Sequence, residues 1–516
     1  MTNHQAFGRA AAIKAVLWTT GSTYISYFLG LAVSVLIART LGVDDYGRYA
    51  YLVWLTGILV LIANHGLTMT GIKFVSECLG REQPAAASHV YAWLRRIQRW
   101  SILVVAIGYV AALPWLRPAG WEGHATILVA IVILSFGFKA SSLFNTSIAK
   151  GYGRFGIEPL TNVLVTLTNA VLVVALALWG GSLFGYALLF AIASISYALI
   201  SGYQLHRAGL HGVIDHAQNE LLVRVKPHLF WTATLAAISA IGNRSVEMFL
   251  LNRWMGAAEV GFFAIATALT RAGIELLVAG LSSVMMPLMG YVMGSGDRNK
   301  AQGLFADACR YYQFFGLLIA GVGVCWADVV VRLMYGAKYA EVVPIFRILI
   351  ITAGVLLANG AFSAVLANSD NQRFRVGVTI VSFVATFAVA IVLIPAYGVV
   401  GAALAQAISS VLCAFIVVAG IHSFVGLRLP WGPLLKQYAL GGVVAALSYA
   451  IVWVAGGHPL SQWAAGLFFG VAMIVLSIPA GLWRDEERRY IAQLIARIAR
   501  LAWLARWVAP SDVPDR

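Results

Sequence analysis

Charged residues are scarce in this sequence: Asp, Glu, Lys and Arg make up 11% of the 516 residues, while 60% are hydrophobic. A soluble protein of this length carries about 25% charged residues. The chain therefore has too little polar surface to face water on all sides. This excludes a soluble enzyme and predicts an all-α protein that crosses a membrane many times, because helices satisfy their own backbone in lipid.

Cysteine is also scarce, and the motifs of common catalytic sites are missing. The four cysteines are scattered, without a C-x-x-C pair or a histidine at ligand spacing, so we interpret them as small buried residues and expect neither a disulfide nor a metal site. There is no H-E-x-x-H, G-x-S-x-G or P-loop motif. The G-x-G-x-x-G at 151–156 follows an apolar helix rather than a strand, so it is not a dinucleotide site. We expect no enzyme activity, no catalytic residue and no cofactor.

Long apolar runs are what the sequence has in abundance. A helix that spans a bilayer needs about 20 predominantly apolar residues, and about fourteen segments meet this length. In order, these predicted spans are 16–38, 49–72, 99–116, 125–149, 160–179, 183–205, 228–251, 260–293, 311–333, 342–367, 375–395, 398–421, 434–455 and 461–483.

Lys and Arg are distributed unevenly between the two sides of these spans. With the N-terminus in the cytoplasm, and with residues at the very ends of spans counted in the adjacent loops, the cytoplasmic segments hold 26 of the 36 Lys and Arg, the opposite loops hold 6, and 4 lie deeper within spans. Such an excess marks the cytoplasmic side of a membrane protein. Both termini are therefore predicted to be cytoplasmic. The net charge of +15 is explained by topology, which argues against nucleic-acid binding.

The hairpin between the first two spans occurs a second time. Segment 38–47 matches segment 252–261 without a gap, at an offset of 214 positions. A duplicated membrane hairpin is typical of transporters built from two related bundles. The residues that recur are Arg39 and Arg253, Gly42 and Gly256, Gly47 and Gly261, and, further on, Gly66 and Gly280.

The repeat predicts the domain organisation. We expect an N-terminal six-helix lobe at 1–210, a C-terminal six-helix lobe at 211–425 that repeats it, two additional spans at 426–483, and a cytoplasmic amphipathic helix and tail at 484–516. The pattern of the last segment fits a basic helix lying on anionic lipids of the cytoplasmic leaflet. It fits a helix packed on the end of the bundle equally well.

Charged residues inside the spans are the candidates for a functional site. Placing one Arg at a helix centre costs about 2.5–3.5 kcal/mol on insertion scales, so such residues face a wet or paired interior. The candidates are Arg244 and Glu247 in span seven, Arg271 and Glu275 in span eight, Lys139 in span four and Arg347 in span ten.

These charges have two interpretations. In the first, Arg244 pairs with Glu247 and Arg271 with Glu275 as internal bridges, since residues three and four apart share a helix face. In the second, the cations form a lumen for an anionic substrate. The second interpretation is supported by the excess of cations over carboxylates and by the repeat. The first-half positions equivalent to Arg244, Arg271 and Glu275 are uncharged, namely Gly30, Gly57 and Leu61.

The runs GSTYISYFLGLAVSVLIARTLGVDDYGRYAYLVWL and GLTMTGIKFVSECLGRE are similar to the Wzx-type polysaccharide flippases of the multidrug/oligosaccharidyl-lipid/polysaccharide exporter superfamily. The ARTLG…YG hairpin carries most of the resemblance, which covers about residues 10–425. It implies two six-helix lobes around a cavity that opens alternately to each side, lined by spans one, two, seven and eight.

The resemblance implies a transporter that flips an undecaprenyl-diphosphate-linked oligosaccharide across a bacterial inner membrane for O-antigen, capsule or exopolysaccharide export. Arg244 and Arg271 would bind the diphosphate, since Arg pairs bidentately with phosphate oxygens. Lys139 and Arg347 lie on spans outside the lining; they would bind the substrate from the cavity margin or form structural bridges. Glu275 or Glu247 would take a coupling proton or sodium ion. A polymerase or glycosyltransferases of the same pathway would be partners. The alternatives are a drug or cation exporter of the same superfamily and a polysaccharide polymerase or ligase.

Overall fold

The computed structural model describes residues 9–116, 125–215, 219–242, 246–294, 297–367, 372–456 and 458–496, and these ranges contain helices and turns but no strand. This confirms the all-α class. The α-helices are α1 Arg9–Leu41, α2 Val43–Asn64, α3 Leu67–Gly80, α4 Pro84–Leu116, α5 Ala125–Gly151, α6 Ile157–Leu178, α7 Leu183–Arg207, α8 Asn219–Gly242, α9 Val246–Trp254, α10 Ala257–Gly294, α11 Arg298–Tyr335, α12 Val342–Val355, α13 Asn359–Ala367, α14 Gln372–Gly420, α15 Trp431–Val454, α16 Pro459–Leu476 and α17 Asp485–Ala496.

The number of spans differs from the expected one. In the described residues, 11 helices are long and apolar enough to cross a membrane, or up to 12 if the pair α12 and α13, bent by 52°, is one span. The count of about fourteen, which came from run length alone, is thus not confirmed. Two predicted spans, 375–395 and 398–421, fall within α14, where Gly398 is the only break, with φ 59°. Predicted span 228–251 is divided between α8 and α9.

The chain divides into two compact units, and each unit is assembled from three separate stretches of the sequence. The first comprises Met1–Ala272, Val331–Ile345 and Arg373–Ser409. The second comprises Gly273–Val330, Phe346–Gln372 and Ser410–Arg516. The lobe boundaries expected from the repeat stay a prediction.

Within the first unit, the two copies of the duplicated hairpin touch at equivalent glycines. A Cβ at Gly47 would overlap the carbonyl oxygen of Ala257, and a Cβ at Gly261 would lie 3.1 Å from the Cα of Gly47. The two backbones are therefore in direct contact at the start of α2 and of α10. Only glycine permits such an approach, as in the small-residue contacts of membrane helices.

The recurring Arg39 also has a structural contact in this unit. Its Nε donates to the carbonyl oxygen of Met334 at 2.7 Å, and its Nη2 donates to that of Leu333. In return, the Tyr339 hydroxyl donates to the carbonyl oxygen of Ala38 at 2.6 Å. Carbonyls in the last turn of a helix have no partner within the helix, so these bonds join the end of α1 to the end of α11.

In the second unit, the two additional helices pack on α11 through glycines. A Cβ at Gly466 would overlap the ring of Trp326, and one at Gly321 would overlap that of Phe469. The Trp326 indole N–H donates to the carbonyl oxygen of Trp463 at 3.2 Å. The pair α15–α16 is thus an integral part of this unit.

The first turns of α17 are anchored to α11. Glu487 accepts hydrogen bonds from Arg310 and Tyr311, and Arg484 pairs with Asp307 at 2.9 Å. Of the two interpretations of the tail, this packing favours a helix held on the bundle. The side chains of Ile491, Leu494 and Ile495, and all residues after 496, lie outside what the structure describes.

Candidate transport site

Span two is broken at a glycine that touches span seven. α2 ends at Asn64, α3 begins at Leu67, and Gly66 between them has φ +80°. A Cβ at Gly66 would lie 2.6 Å from the backbone nitrogen of Ala233 and 2.7 Å from the carbonyl carbon of Thr232. Glycine is required here both for its left-handed backbone and for the close approach of α8.

On the C-terminal side of the break, α3 and α8 share a polar contact. The Thr70 hydroxyl lies 3.3 Å from the His228 Nδ1 and 3.3 Å from the Thr232 hydroxyl. Two helical turns further along α3, Glu77 forms ion pairs with Arg224 at 3.0 Å and with Arg81 at 2.6 Å. Two of the four spans that the resemblance assigns to the cavity lining are therefore in direct contact.

Lys139, in the same unit, lies near two aromatic rings. Its Nζ is 5.3 Å from the ring centroid of Phe190 and 5.8 Å from that of Tyr197. Both rings belong to α7, and cation–π contacts of this kind stabilise a charge away from water. The described contacts of Lys139 thus hold α5 against α7.

Arg347 contacts the backbone of α11 in the second unit. Its Nε donates to the carbonyl oxygen of Val324 at 3.3 Å, and the side chain is half-buried. This bond joins α12 to α11. For Lys139 and Arg347 alike, a role in substrate binding stays a prediction.

Arg271 differs from these two cations because its side chain is exposed. It lies on α10 within the apolar stretch Ala257–Ile274. The equivalent first-half residue, Gly57 in α2, is exposed as well, and a Cβ there would have nothing within 4 Å. Equivalent positions of the two copies therefore lie on open helix faces rather than in packed interfaces.

The other candidates are described only in part. Glu247 is 1% exposed and lies in the first turn of α9. Glu275 is in the middle of α10, but its side chain lies outside the described structure, and so does all of Arg244. The two bridges considered from the sequence, Arg244–Glu247 and Arg271–Glu275, thus stay predictions. Among the described residues, no group of three His, Cys, Asp or Glu side chains is placed to hold a metal ion.

A buried polar network in the first unit was missed in the sequence. The Gln98 amide donates to Asn64 Oδ1 at 3.3 Å and to the carbonyl oxygen of Ala140 at 2.9 Å, and the Asn64 amide donates to the same carbonyl at 3.1 Å. Gln98 stands at the edge of a predicted span. The signal in the sequence was an amide side chain next to an apolar run, because a buried amide needs hydrogen-bond partners on neighbouring helices.

Long apolar helices and a glycine crossing between repeated hairpins define a multi-pass membrane protein of the transporter type. Two solved structures share this fold. The lipid II flippase MurJ in its inward closed conformation matches with a TM-score of 0.71 and 17% identity, over 91% of this chain and 100% of that chain. An inward-facing multidrug resistance MATE family transporter matches with a TM-score of 0.65 and 15% identity, over 78% of this chain and 96% of that chain.

Residues 12–293 match the sequence model of the polysaccharide biosynthesis protein family, and the chain belongs to that family. A curated relative, the probable low-salt glycan biosynthesis flippase Agl15 of Haloferax volcanii, is 22% identical over 465 residues, which cover 86% of this chain and 90% of the relative. The resemblance to Wzx-type flippases indicated by the hairpin is thereby confirmed.

Proposed function

We propose that the protein flips an undecaprenyl-diphosphate-linked oligosaccharide from the cytoplasmic to the outer leaflet of a bacterial inner membrane. The substrate is a repeat unit of a surface polysaccharide such as O-antigen, capsule or exopolysaccharide. The family match and the flippase fold support a transporter of lipid-linked glycans rather than an enzyme. The excess of Lys and Arg in alternate loops supports a topology with both termini in the cytoplasm.

The exposed Arg271 is the observation that carries the choice of an anionic substrate. An exposed Arg in an apolar stretch is costly if it faces lipid, and we therefore propose that Arg271 faces a water-filled cavity. A guanidinium there matches the paired oxygens of a diphosphate. We propose Arg271 and Arg244 as the diphosphate ligands, with Lys139 and Arg347 as secondary candidates.

We further propose that Glu247 or Glu275 couples transport to a proton or sodium ion. A buried carboxylate costs several kcal/mol unless it is paired or neutralised, so its charge state is sensitive to an ion that binds it. Anionic lipids around α17, and a polymerase or glycosyltransferases of the same pathway, are proposed as partners.

A reconstituted flipping assay tests this function. The full chain is placed in liposomes that hold a fluorescent polyprenyl-diphosphate oligosaccharide, and appearance of the sugar in the opposite leaflet is measured with an impermeant sugar oxidant. We expect flipping that is lost in Arg271→Ala and kept in Gly57→Ala. A protein that moves a cationic dye but not the lipid-linked sugar would instead be the drug exporter.

A further inference from the structure

A basic cavity lies in the first unit, apart from every residue proposed for transport. It has a volume of about 670 Å³ and is enclosed by α4, the end of α7 and the segment 208–215 that follows it. None of the described residues that line it is acidic. The charged and titratable side chains among them are Tyr91, Arg95, Arg96, Arg99, His206 and His211.

The first of these arginines is fixed in place without losing its charge. The Arg95 guanidinium donates to Gln98 Oε1 at 3.0 Å and to Asn145 Oδ1. It also lies over the rings of Phe144, at 4.7 Å, and Tyr91, at 5.7 Å. Amide oxygens and aromatic faces orient a guanidinium but do not neutralise it. Its positive charge is therefore available to a ligand.

The other two arginines have exposed side chains on the same helix. Arg96 and Arg99 are three residues apart, and Arg95 and Arg99 are four apart, so they occupy neighbouring positions on α4. In the described part of the chain, no carboxylate lies within 4.0 Å of Arg96 or Arg99. Three positive charges thus line one cavity, and the described residues place no carboxylate among its lining.

The opposite wall is held by hydrogen bonds. The Ser88 hydroxyl donates to the carbonyl oxygen of His211 at 2.7 Å and accepts from the backbone of Val213 at 2.9 Å. The backbone of Asp215 donates to His89 Nδ1 at 3.0 Å. A Cβ at Gly212 would lie 2.9 Å from the Ala92 backbone. These contacts hold the segment 208–215 against α4. The cavity between them is therefore a defined part of the fold.

We propose that this cavity binds a phosphate-bearing anion through Arg95, Arg96 and Arg99. Guanidinium groups bind phosphate oxygens in bidentate fashion. Two sources share this chemistry: a soluble phosphate compound and the headgroup of an anionic phospholipid. The apolar side chain of Ile214 lines the cavity and is 48% exposed, so it would accommodate a lipid.

The experiment compares two double variants of the full chain that lose the same charge. Arg96→Ala with Arg99→Ala removes the two exposed cavity arginines. Arg154→Ala with Arg207→Ala is the control, because both residues are exposed in the same unit but do not line the cavity. Thermal unfolding in detergent shows whether each variant is folded. If the first variant is not, Arg96→Gln with Arg99→Gln replaces it.

Two probes distinguish the sources. Inorganic pyrophosphate is titrated by calorimetry, and retention of phosphatidylglycerol is measured by native mass spectrometry after reconstitution with phosphatidylcholine. We expect one probe to bind about tenfold or more weakly in the cavity variant, since charge-assisted bonds are lost, and equally well in the control. The probe whose binding weakens in the cavity variant shows whether the phosphate belongs to a soluble compound or to a lipid headgroup. The proposal is wrong if wild type binds neither probe, or if both probes bind both variants alike.

Discussion

Spans two and eight are equivalent in sequence but differ in backbone. Gly66 aligns with Gly280, yet the first half is broken there into α2 and α3, while α10 runs through the equivalent position as one helix of 38 residues. The difference teaches that glycine permits a break in a helix, and that packing against a neighbouring helix decides whether the break forms. At Gly66 that neighbour is the backbone of α8 at Thr232 and Ala233.

Spans four and ten show the reverse relationship. The first-half member, α5, is one helix of 27 residues, whereas its second-half equivalent is bent by 52° between α12 and α13. Each half therefore has one broken and one continuous member of these two pairs. The halves share a plan and differ in where the chain bends, which allows them to carry different parts of a transport site.

The largest effect is expected at the crossing of the two hairpins. Gly47→Ala places a Cβ on the carbonyl oxygen of Ala257, so the two helices must separate. Overpacking of this kind costs about 3 kcal/mol or more. We expect a strong loss of stably inserted protein, measured by membrane expression and by thermal unfolding in detergent.

Gly57→Ala in the same helix is the matched control for Gly47→Ala. A Cβ at Gly57 has nothing within 4 Å, and Ala is the better helix former by about 1 kcal/mol. We expect this variant to be as stable as wild type or slightly more so. Equal stability of the two variants would contradict the glycine contact.

A second prediction compares the two aligned glycines directly. Gly66→Ala should lower the free energy of unfolding by about 2–3 kcal/mol, from the left-handed backbone and the overlap with α8. Gly280→Ala should not incur the part of this loss that comes from a left-handed backbone, because its backbone is helical. Chemical unfolding of the two variants measures this. The same loss in both would mean that the break is not specific to the first half.

Arg39 is expected to have a smaller effect. Arg39→Ala removes the hydrogen bonds to the carbonyls of Leu333 and Met334 and should cost about 1–2 kcal/mol, at the lower end for charged donors. Arg39→Lys keeps the charge but can replace only one bond, so it should restore part of the thermal stability. An unchanged unfolding midpoint in Arg39→Ala would refute a scaffold role for this residue.

The smallest effect on stability is expected at Glu247. Glu247→Gln keeps the size of a buried side chain and removes only its charge, so we expect a change within about 1 kcal/mol. Flipping in proteoliposomes should then no longer respond to an imposed pH or sodium gradient. A variant that responds as wild type would remove Glu247 from the coupling proposal and leave Glu275.

Much of the helical fold could be predicted from apolar run length, because a bilayer demands a nearly fixed number of apolar residues. The polar ends of the helices could not be predicted in this way. α11 begins at Arg298 rather than near 311, and its extra turns include Arg310, whose partner, Glu487, is far along the chain. The break at Gly66 could not be predicted for the same reason, since it depends on the contact with α8, which is distant in sequence.

The candidate site was predictable to the extent that charge in an apolar run is visible in the sequence. Arg271, Lys139 and Arg347 share that signal, yet the structure differs between them: Arg271 is exposed, Lys139 lies near two aromatic rings, and Arg347 donates to a backbone carbonyl. Sequence position alone cannot distinguish these environments. The exposure of Arg271 singles it out as the first residue to test.

The central claim is that the second copy of the repeat carries the diphosphate site, and binding of a polyprenyl diphosphate to the purified chain tests it most directly. Arg271 is compared with its first-half equivalent, Gly57, which is also exposed. The account predicts that Arg271→Ala weakens binding about tenfold or more and that Gly57→Ala leaves it unchanged. Equal affinity of wild type and Arg271→Ala would contradict it.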